Sequence, residues 1–200
     1  MSEPVVIMGI DPGLASTGAA VIRSAGDGAW TALWSAHVKT PPRAAMPERL
    51  ERIHALVAGA IERFSPGIVA VESIFFAKNV RSAVLMAHGR GAAILAAAQS
   101  GAVVREYSPL EIKQSVAGKG RAGKEQVKRM VGVLLNLPEP PASDHETDAL
   151  ACALCHAFRA ERAVPFAGAG QSAPAATGEE DPRKALLMLG WRRKGRRRRK

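Results

Sequence analysis

The pattern of apolar and polar positions predicts strands first, and then helices alternating with strands. Residues 5–10 are mostly apolar and rich in β-branched side chains, which is typical of a buried strand. Residues 18–23 and 30–38 have the same character, and the AGDG segment at 25–28 between them is a typical hairpin turn. These three strands are therefore predicted to form an antiparallel meander.

A helical period begins after the proline pair at 41 and 42. Pro47 opens the first predicted helix, which ends at the SPG turn, residues 65–67. The apolar stripe of this helix consists of Leu50, Ile53, Val57 and Ile61. Two short strands, at 68–71 and 103–107, alternate with further helices predicted near 79–100, 109–117, 124–135 and 144–162. This order predicts a mixed α/β sheet flanked by helices.

Two Ser-x-x-Glu motifs mark predicted helix starts. Ser108 with Glu111, and Ser143 with Glu146, have the spacing of a capping box, in which serine and glutamate each bind the other's backbone N–H. Between the helices that follow Ser108, the segment GKGRAGK at 118–124 is predicted to be a flexible basic loop.

Composition divides the chain into a domain and two tail segments. Residues 1–163 carry all the strand and helix patterns, whereas residues 164–182 are small, polar and rich in Pro and Gly, which predicts a flexible linker. Residues 183–200 contain ten Lys or Arg and no acid, so this basic tail accounts for the whole net charge of +10. Such a tail favours a polyanionic partner, nucleic acid before an acidic membrane.

The compartment is predicted from what the sequence lacks. No run reaches the roughly 18 uncharged apolar residues of a membrane span, and the first residues lack the basic start of a signal peptide. Cys152 and Cys155 make no disulfide framework. We therefore expect a cytoplasmic protein without a membrane partner.

Four side chains able to ligate a metal stand at the ends of predicted elements. Asp11 ends the first strand and Glu72 ends the fourth, while His145 and Asp148 share one face of the last helix. Carboxylates that converge repel one another, so either their pKa values rise or a cation holds them. Hard oxygen ligands with one imidazole suit Mg²⁺ or Mn²⁺.

Structural explanations for these acids compete with the metal site. An Asp before Pro-Gly, as at Asp11, is common turn chemistry, and an acid in the first helical turn, such as Asp144, favours the helix dipole. The glycine-rich stretch after the first strand also suits a loop that cradles phosphate. The joint placement of four ligands at element ends favours the metal site.

Two other motifs are misleading. GKGRAGKE, at 118–125, approaches a P-loop, but Glu125 stands where the Mg²⁺-binding Ser or Thr belongs, and a predicted helix precedes it. A basic loop that faces a DNA backbone is favoured instead. CALCH, at 152–156, spells the c-type haem motif but lies within an Ala-rich helix, where packing of small cysteines is favoured.

Five blocks in combination resemble the RuvC family of crossover junction endodeoxyribonucleases. They are GIDPGLASTG, VAVESIFFAKN, HGRGAAI, IKQSVAGKGRAGKEQV and HETDALACALCHA, and they occur in the family's order over residues 5–160. The resemblance implies an RNase H-like (retroviral integrase-like) fold with a mixed five-stranded sheet. It also implies a homodimer that nicks four-way Holliday junctions in symmetrical pairs during recombination and repair, with the branch-migration proteins RuvA and RuvB as partners.

The resemblance also assigns site residues. The family's acidic centre maps onto Asp11, Glu72 and Asp148, and its fourth ligand, which varies between Asp and His, maps onto His145. These four residues are the candidate catalytic groups and metal ligands. The candidate DNA contacts, from the resemblance and from the basic loop, are Phe75, Lys113, Lys119, Arg121 and Lys124.

The mechanistic hypothesis is hydrolysis with two Mg²⁺ ions, for which Mn²⁺ can substitute. Asp11 bridges the ions, with Glu72 on one side and His145 and Asp148 on the other. A water activated at one ion attacks the phosphorus in line, and the leaving 3′ oxygen is stabilised at the other.

Two rival functions stay open at this point. GIDPGLASTG also resembles the first phosphate loop of actin and sugar-kinase ATPases, although those enzymes need two such domains. A non-catalytic junction-binding protein of the same fold is the second rival, against which the presence of all four candidate ligands argues. Metal-dependent nicking of a synthetic four-way junction distinguishes the three possibilities.

Overall fold

The structure, a computed structural model, describes residues 4–26, 28–73 and 80–163. The described residues all belong to one compact unit, Met1–Val164. The predicted linker at 164–182, the basic tail at 183–200 and the candidate DNA contact Phe75 lie outside the described residues.

Five strands form a single mixed sheet in the order β3-β2-β1-β4-β5. Their bounds are β1 Val6–Asp11, β2 Ser16–Gly26, β3 Ala29–Lys39, β4 Ile68–Glu72 and β5 Val103–Tyr107. The first three strands pair antiparallel, and β4 and β5 extend the sheet parallel to β1. The predicted meander is thereby confirmed. Strand β2 extends beyond the predicted 18–23 at both ends because its ladder with β3 continues through polar positions.

In the part of the chain that the structure describes, five helices cover the two faces of the sheet. Their bounds are α1 Met46–Phe64, α2 Val80–Gln99, α3 Pro109–Ala117, α4 Lys124–Leu134 and α5 Asp144–Ala163. Helices α1 and α2 pack on one face, around Met8, Ile10 and Val57, while α3, α4 and α5 pack on the other, around Ile7 and Leu150. The expected α/β architecture, a mixed five-stranded sheet flanked by helices, is confirmed. None of the helices in the described ranges has the length and apolar character that a bilayer crossing needs.

The two Ser-x-x-Glu motifs behave differently. At α3 the box is complete, since Ser108 accepts the backbone N–H of Glu111 and the Glu111 carboxylate accepts that of Ser108. At α5 Ser143 Oγ accepts the Glu146 N–H, but the Glu146 carboxylate reaches across to strand β3. The second predicted capping box is therefore only half formed, because the Glu146 carboxylate accepts hydrogen bonds from Ser35 and His37 of β3 instead.

The basic segment between α3 and α4 has more internal order than the sequence indicated. The Gln114 side-chain amide donates to Gly118 O and accepts from Gly120 N, each at 3.0 Å. Ala122 N also donates to Lys119 O, and Ala122 is buried. The segment is a hydrogen-bonded turn that holds its basic side chains outward.

Helix α5 lies directly against β1 and β2 because those strands present glycines to it. A Cβ added to Gly9 would overlap the carbonyl oxygen of Ala149, and one added to Gly18 would overlap that of His145. Glycine in a strand often marks such a close backbone approach. This contact, called the glycine seam below, fixes α5 relative to the strand that ends in Asp11.

The cysteines of the CALCH segment pack inside α5. Cys152 and Cys155 are free thiols, and both are buried. Burial raises the pKa of each thiol, and most strongly that of the fully enclosed Cys152. The predicted packing role is thus confirmed, and a raised thiol pKa disfavours nucleophilic or redox chemistry.

Candidate active site

The candidate site lies at one edge of the sheet, where the two central parallel strands both end. Asp11 closes β1, with Gly18 of β2 opposite it and His37 of β3 opposite Gly18. On the other side Glu72 closes β4 opposite Tyr107 of β5. Because β1 and β4 run parallel, their terminal carboxylates emerge at the same edge.

Helix α5 brings the other two candidate ligands to this edge. Its first turn lies over the glycine seam at Gly18, which places the His145 ring next to Asp11. His145 Nδ1 is 2.7 Å from Asp11 Oδ2, with the histidine side chain 42% exposed and the aspartate 19%. Asp148 follows three residues later, on the same face of the helix.

The charges of the three acids act on one another. Burial raises the pKa of Glu72 to about 7, with repulsion from Asp11 and Asp148 as the next causes. Burial and then the charge of Asp11 raise the pKa of Asp148 to about 6. Lys113 and Lys124 oppose the shift at Glu72 without cancelling it. The three carboxylates therefore form one electrostatic cluster, as their positions in the sequence predicted.

Two lysines share a cavity of about 180 Å³ with this cluster. Its lining residues are Glu72, Pro109, Ile112, Lys113, Lys124, Val127 and Asp148. Lys113 comes from α3 and Lys124 begins α4, so two helices supply positive charge opposite the acids. Lys124 Nζ lies 3.2 Å from Asp144 Oδ2, and this hydrogen bond and charge raise the pKa of the lysine.

The structure thus brings together six of the nine predicted site residues, namely Asp11, Glu72, Lys113, Lys124, His145 and Asp148. Lys119 and Arg121 are exposed on the turn between α3 and α4, and neither lines the cavity. Asp144 pairs with Lys124, and its charge also helps to raise the pKa of Asp148.

The ligands are not yet closed around a point. In residues 4–26, 28–73 and 80–163, no three or more His, Cys, Asp or Glu side chains are gathered tightly enough to hold an ion as they stand. Two of the candidate ligands, His145 and Asp11, are hydrogen-bonded to each other through Nδ1 and Oδ2. The chemical types of the donors nevertheless fit a hard divalent cation.

Sequence reasoning missed a second polar cluster beside the site. Glu146 accepts hydrogen bonds from Ser35 Oγ at 2.6 Å and from His37 Nδ1 at 2.9 Å, and Ser143 Oγ also points at it. The available signal was the alternation in β3, where Ser35 and His37 are two apart and so face the same side. We call these four residues the Glu146 cluster.

Comparison with known proteins identifies the family. The family model described as crossover junction endodeoxyribonuclease RuvC matches residues 7–156, most of the chain. The chain belongs to the RuvC family. RuvC of Pelotomaculum thermopropionicum is 47% identical over 153 residues, which are 76% of this chain and 93% of that protein. RuvC of Moorella thermoacetica is 46% identical over 153 residues, 76% and 91% of the two chains.

A solved RuvC structure matches the fold as well. Thermus thermophilus RuvC in complex with Holliday junction substrate aligns with a TM-score of 0.75 at 41% identity, covering 79% of this chain and 96% of that one. The expected RNase H-like fold is thus confirmed. Members of the RuvC family are metal-dependent endodeoxyribonucleases, so the chain is a nuclease.

Proposed function

We propose that this protein resolves four-way Holliday junctions by paired symmetrical nicks in DNA recombination and repair. Membership of the RuvC family and the likeness to a RuvC solved with a Holliday junction support the proposal. The observation that carries it is the convergence of Asp11, Glu72 and Asp148 at one edge of the sheet, with burial and mutual repulsion raising two of their pKa values.

These three carboxylates are better stabilised by a bound divalent metal ion than by water alone. Buried carboxylates that repel one another are stabilised by a cation, and carboxylate oxygens are the ligands that Mg²⁺ prefers. Asp11, Glu72, His145 and Asp148 would hold it, and we propose two Mg²⁺ per site, with Mn²⁺ as a substitute. When bound, the metal supplies an activated water and stabilises charge on the leaving oxygen.

The chain's own residues prepare the site for a phosphodiester. Glu72 and Asp148 line the cavity and are half-buried there, which strengthens the charge interactions between them and their neighbours. Lys113 and Lys124 line the same cavity and can hold a phosphate that carries developing negative charge. The His145 ring lies against the Asp11 carboxylate, with Nδ1 2.7 Å from Oδ2.

Surfaces away from the cavity support the proposed macromolecular partners. Lys119 and Arg121 project from the ordered turn between α3 and α4, where they can follow a DNA backbone. On the opposite face of the sheet, α2 leaves Val84 and Leu95 half exposed. This apolar surface supports a homodimer, which would give two sites for paired nicks. RuvA and RuvB are the proposed branch-migration partners.

The substitution Asp11→Asn tests the proposal. It removes the charge between Glu72 and Asp148 with almost no change in shape, so the variant should bind a synthetic four-way junction and fail to nick it with Mg²⁺. Glu48→Gln, in the first turn of α1 on the other face, is the matched control and should cut normally. Cleavage by Asp11→Asn at the control rate would refute the assignment, and junction binding without nicking by the unmodified protein would favour the non-catalytic rival.

A further inference from the structure

The first turn of α5 is fastened to the edge strand β3 by one buried carboxylate. Glu146 is 6% exposed, and its two oxygens separately accept hydrogen bonds from Ser35 and His37. These donors hold the pKa of Glu146 below its ordinary value although burial alone would raise it. A buried, ionised group with several donors is rigid, because losing any one donor leaves it unsatisfied.

Comparison with α3 shows that helix capping alone does not require this arrangement. Glu111 occupies the same position of the same motif, and it bends back onto the N–H and hydroxyl of Ser108, its own capping residue. Glu146 instead reaches a strand 111 residues earlier in the chain. Its contacts therefore join two elements rather than finish one helix.

We propose that Glu146, held by Ser35 and His37, is a positioning residue that sets His145 and Asp148 against Asp11. The proposal rests on the proposed function for its catalytic consequence. Glu146 lies between the two ligands in sequence, so any rotation of this turn moves both of them relative to β1. The glycine seam at Gly18 fixes the distance of the helix from the sheet, and the carboxylate fixes its rotation and its position across the strands.

A second buried hydrogen bond between α5 and an edge strand provides a matched control. The Tyr107 hydroxyl and His156 Nδ1 share a buried hydrogen bond of 2.6 Å. It joins α5 to β5, the opposite edge strand, about three helical turns beyond His145. Both are buried hydrogen bonds between α5 and an edge strand, but only the Glu146 bond lies in the helical turn that carries His145 and Asp148.

The experiment compares Glu146→Gln, Ser35→Ala and Tyr107→Phe with the unmodified protein. Junction affinity, single-turnover cleavage at saturating junction and Mg²⁺, and melting temperature are measured for each. We expect Glu146→Gln to cut about 10-fold more slowly or worse with unchanged junction affinity, since displaced ligands cost reactivity rather than DNA binding. Ser35→Ala should lose rate in the same direction but less, and Tyr107→Phe should keep the unmodified rate despite a lower melting temperature.

The double variant Ser35→Ala/Glu146→Gln separates positioning from general destabilisation. If both residues act through one link, the double variant cuts no more slowly than Glu146→Gln alone. A Glu146→Gln protein that cuts at the unmodified rate would overturn the proposal. So would a Tyr107→Phe protein that loses as much rate as Glu146→Gln, because stability alone would then account for both.

The position of the His145 ring can also be measured without any cleavage activity. The hydrogen bond of the His145 ring to Asp11 can be followed by nuclear magnetic resonance of ¹⁵N-labelled, metal-free protein. We expect it to be lost in Glu146→Gln and kept in Tyr107→Phe. If the unmodified protein does not cut junctions at all, the proposed function fails, while this spectrum still decides whether Glu146 positions His145.

Discussion

Two glutamates near the first turn of α5 are opposite in character: Glu146, on the helix itself, is buried, whereas Glu72, at the end of β4, is half-buried. Glu146 is surrounded by donors, and these hold its pKa below the ordinary value. Glu72 is surrounded by other acids, and burial followed by their repulsion raises its pKa to about 7. Burial itself pushes both pKa values upward, so the neighbours decide the outcome.

This difference separates a structural carboxylate from a functional one. A buried acid that stabilises the fold accepts hydrogen bonds from neighbouring donors, as Glu146 does from Ser35 and His37. Lys113 and Lys124 oppose the raised pKa of Glu72 only in part, and the divalent cation proposed above would supply the remaining compensation. Glu146 is buried and Glu72 is half-buried, so the more enclosed carboxylate has the lowered pKa, and the neighbouring groups account for the difference.

The largest expected effect comes from neutralising Glu72. Glu72→Gln should reduce junction cleavage at least about 100-fold, because a proposed metal ligand is lost. It should also raise the melting temperature of the metal-free protein, because a repelling buried charge is removed. Cleavage assays and thermal melts in EDTA measure the two effects. A variant that loses both activity and stability would show that Glu72 is structural, as Glu146 is.

The glycine seam, which holds α5 and its Glu146 against β1 and β2, gives the next largest effect. Gly18→Ala forces a methyl group into the carbonyl of His145, so we expect a loss of about 3 kcal/mol of unfolding free energy. Urea titration measures it. Gly59→Ala is the matched control, since nothing lies within 4 Å of its added Cβ in the exposed face of α1, and it should stabilise the protein slightly. If both substitutions changed the unfolding free energy equally, the close contact of α5 with Gly18 would be contradicted.

Neutralising Glu146 should lower the stability of the metal-free protein, whereas neutralising Glu72 should raise it. Glu146→Gln removes a charged acceptor from Ser35 and His37, which should cost about 1–2 kcal/mol of unfolding free energy. The same urea titration in EDTA compares the two variants directly. If both substitutions shifted stability in the same direction, the contrast between the two carboxylates would be wrong.

The smallest expected effect is a pH dependence of the metal-free protein. The folded-state pKa values of Glu72 and Asp148 are raised, so between pH 5 and pH 7 the folded state binds more protons than the unfolded one. As the pH rises from 5 to 7, the free energy of unfolding should therefore decrease, by about 1–2 kcal/mol after allowance for solvent screening. Glu146 acts in a separate window, since its lowered pKa affects stability only as the pH falls below about 4.5.

Comparison with Glu72→Gln isolates the contribution of the active-site acids. The variant should show a shallower fall in stability over the same pH interval, and saturating Mg²⁺ should flatten the curve of the unmodified protein. Denaturation midpoints at several pH values, with and without EDTA, supply the measurement. A slope that neither the substitution nor the metal changes would assign the pH dependence to other groups.

Much of this arrangement was predictable from sequence because its signals are local. The period of Ile53, Val57 and Ile61 predicts α1, and the strand at 68–71 ends on Glu72 in both sequence and structure. The convergence of the acids was predictable too, because parallel strands end at a common edge. Ligand roles for these residues remain predictions, as does the homodimer.

The features that sequence did not reveal depend on long-range contacts. Nothing near Glu146 indicates that its carboxylate reaches Ser35 instead of its own helix cap, because the deciding donors are more than 100 residues away in the chain. Gly9 and Gly18 both fall in predicted strands, and nothing near them in the sequence indicates that α5 packs against their backbone. Gln114 likewise organises the basic turn through contacts that composition alone does not show.

The central position of α5 also has a consequence for the order of synthesis. This helix is the last described element, yet it covers β1 and β2, which a ribosome makes first. A nascent chain therefore exposes the apolar face around Ile7 and Ala20 until residues near 163 have emerged, which is a period of aggregation risk. His145 and Asp148 follow Asp11 by more than 130 residues, so a chain that ends before them lacks two of the four proposed ligands.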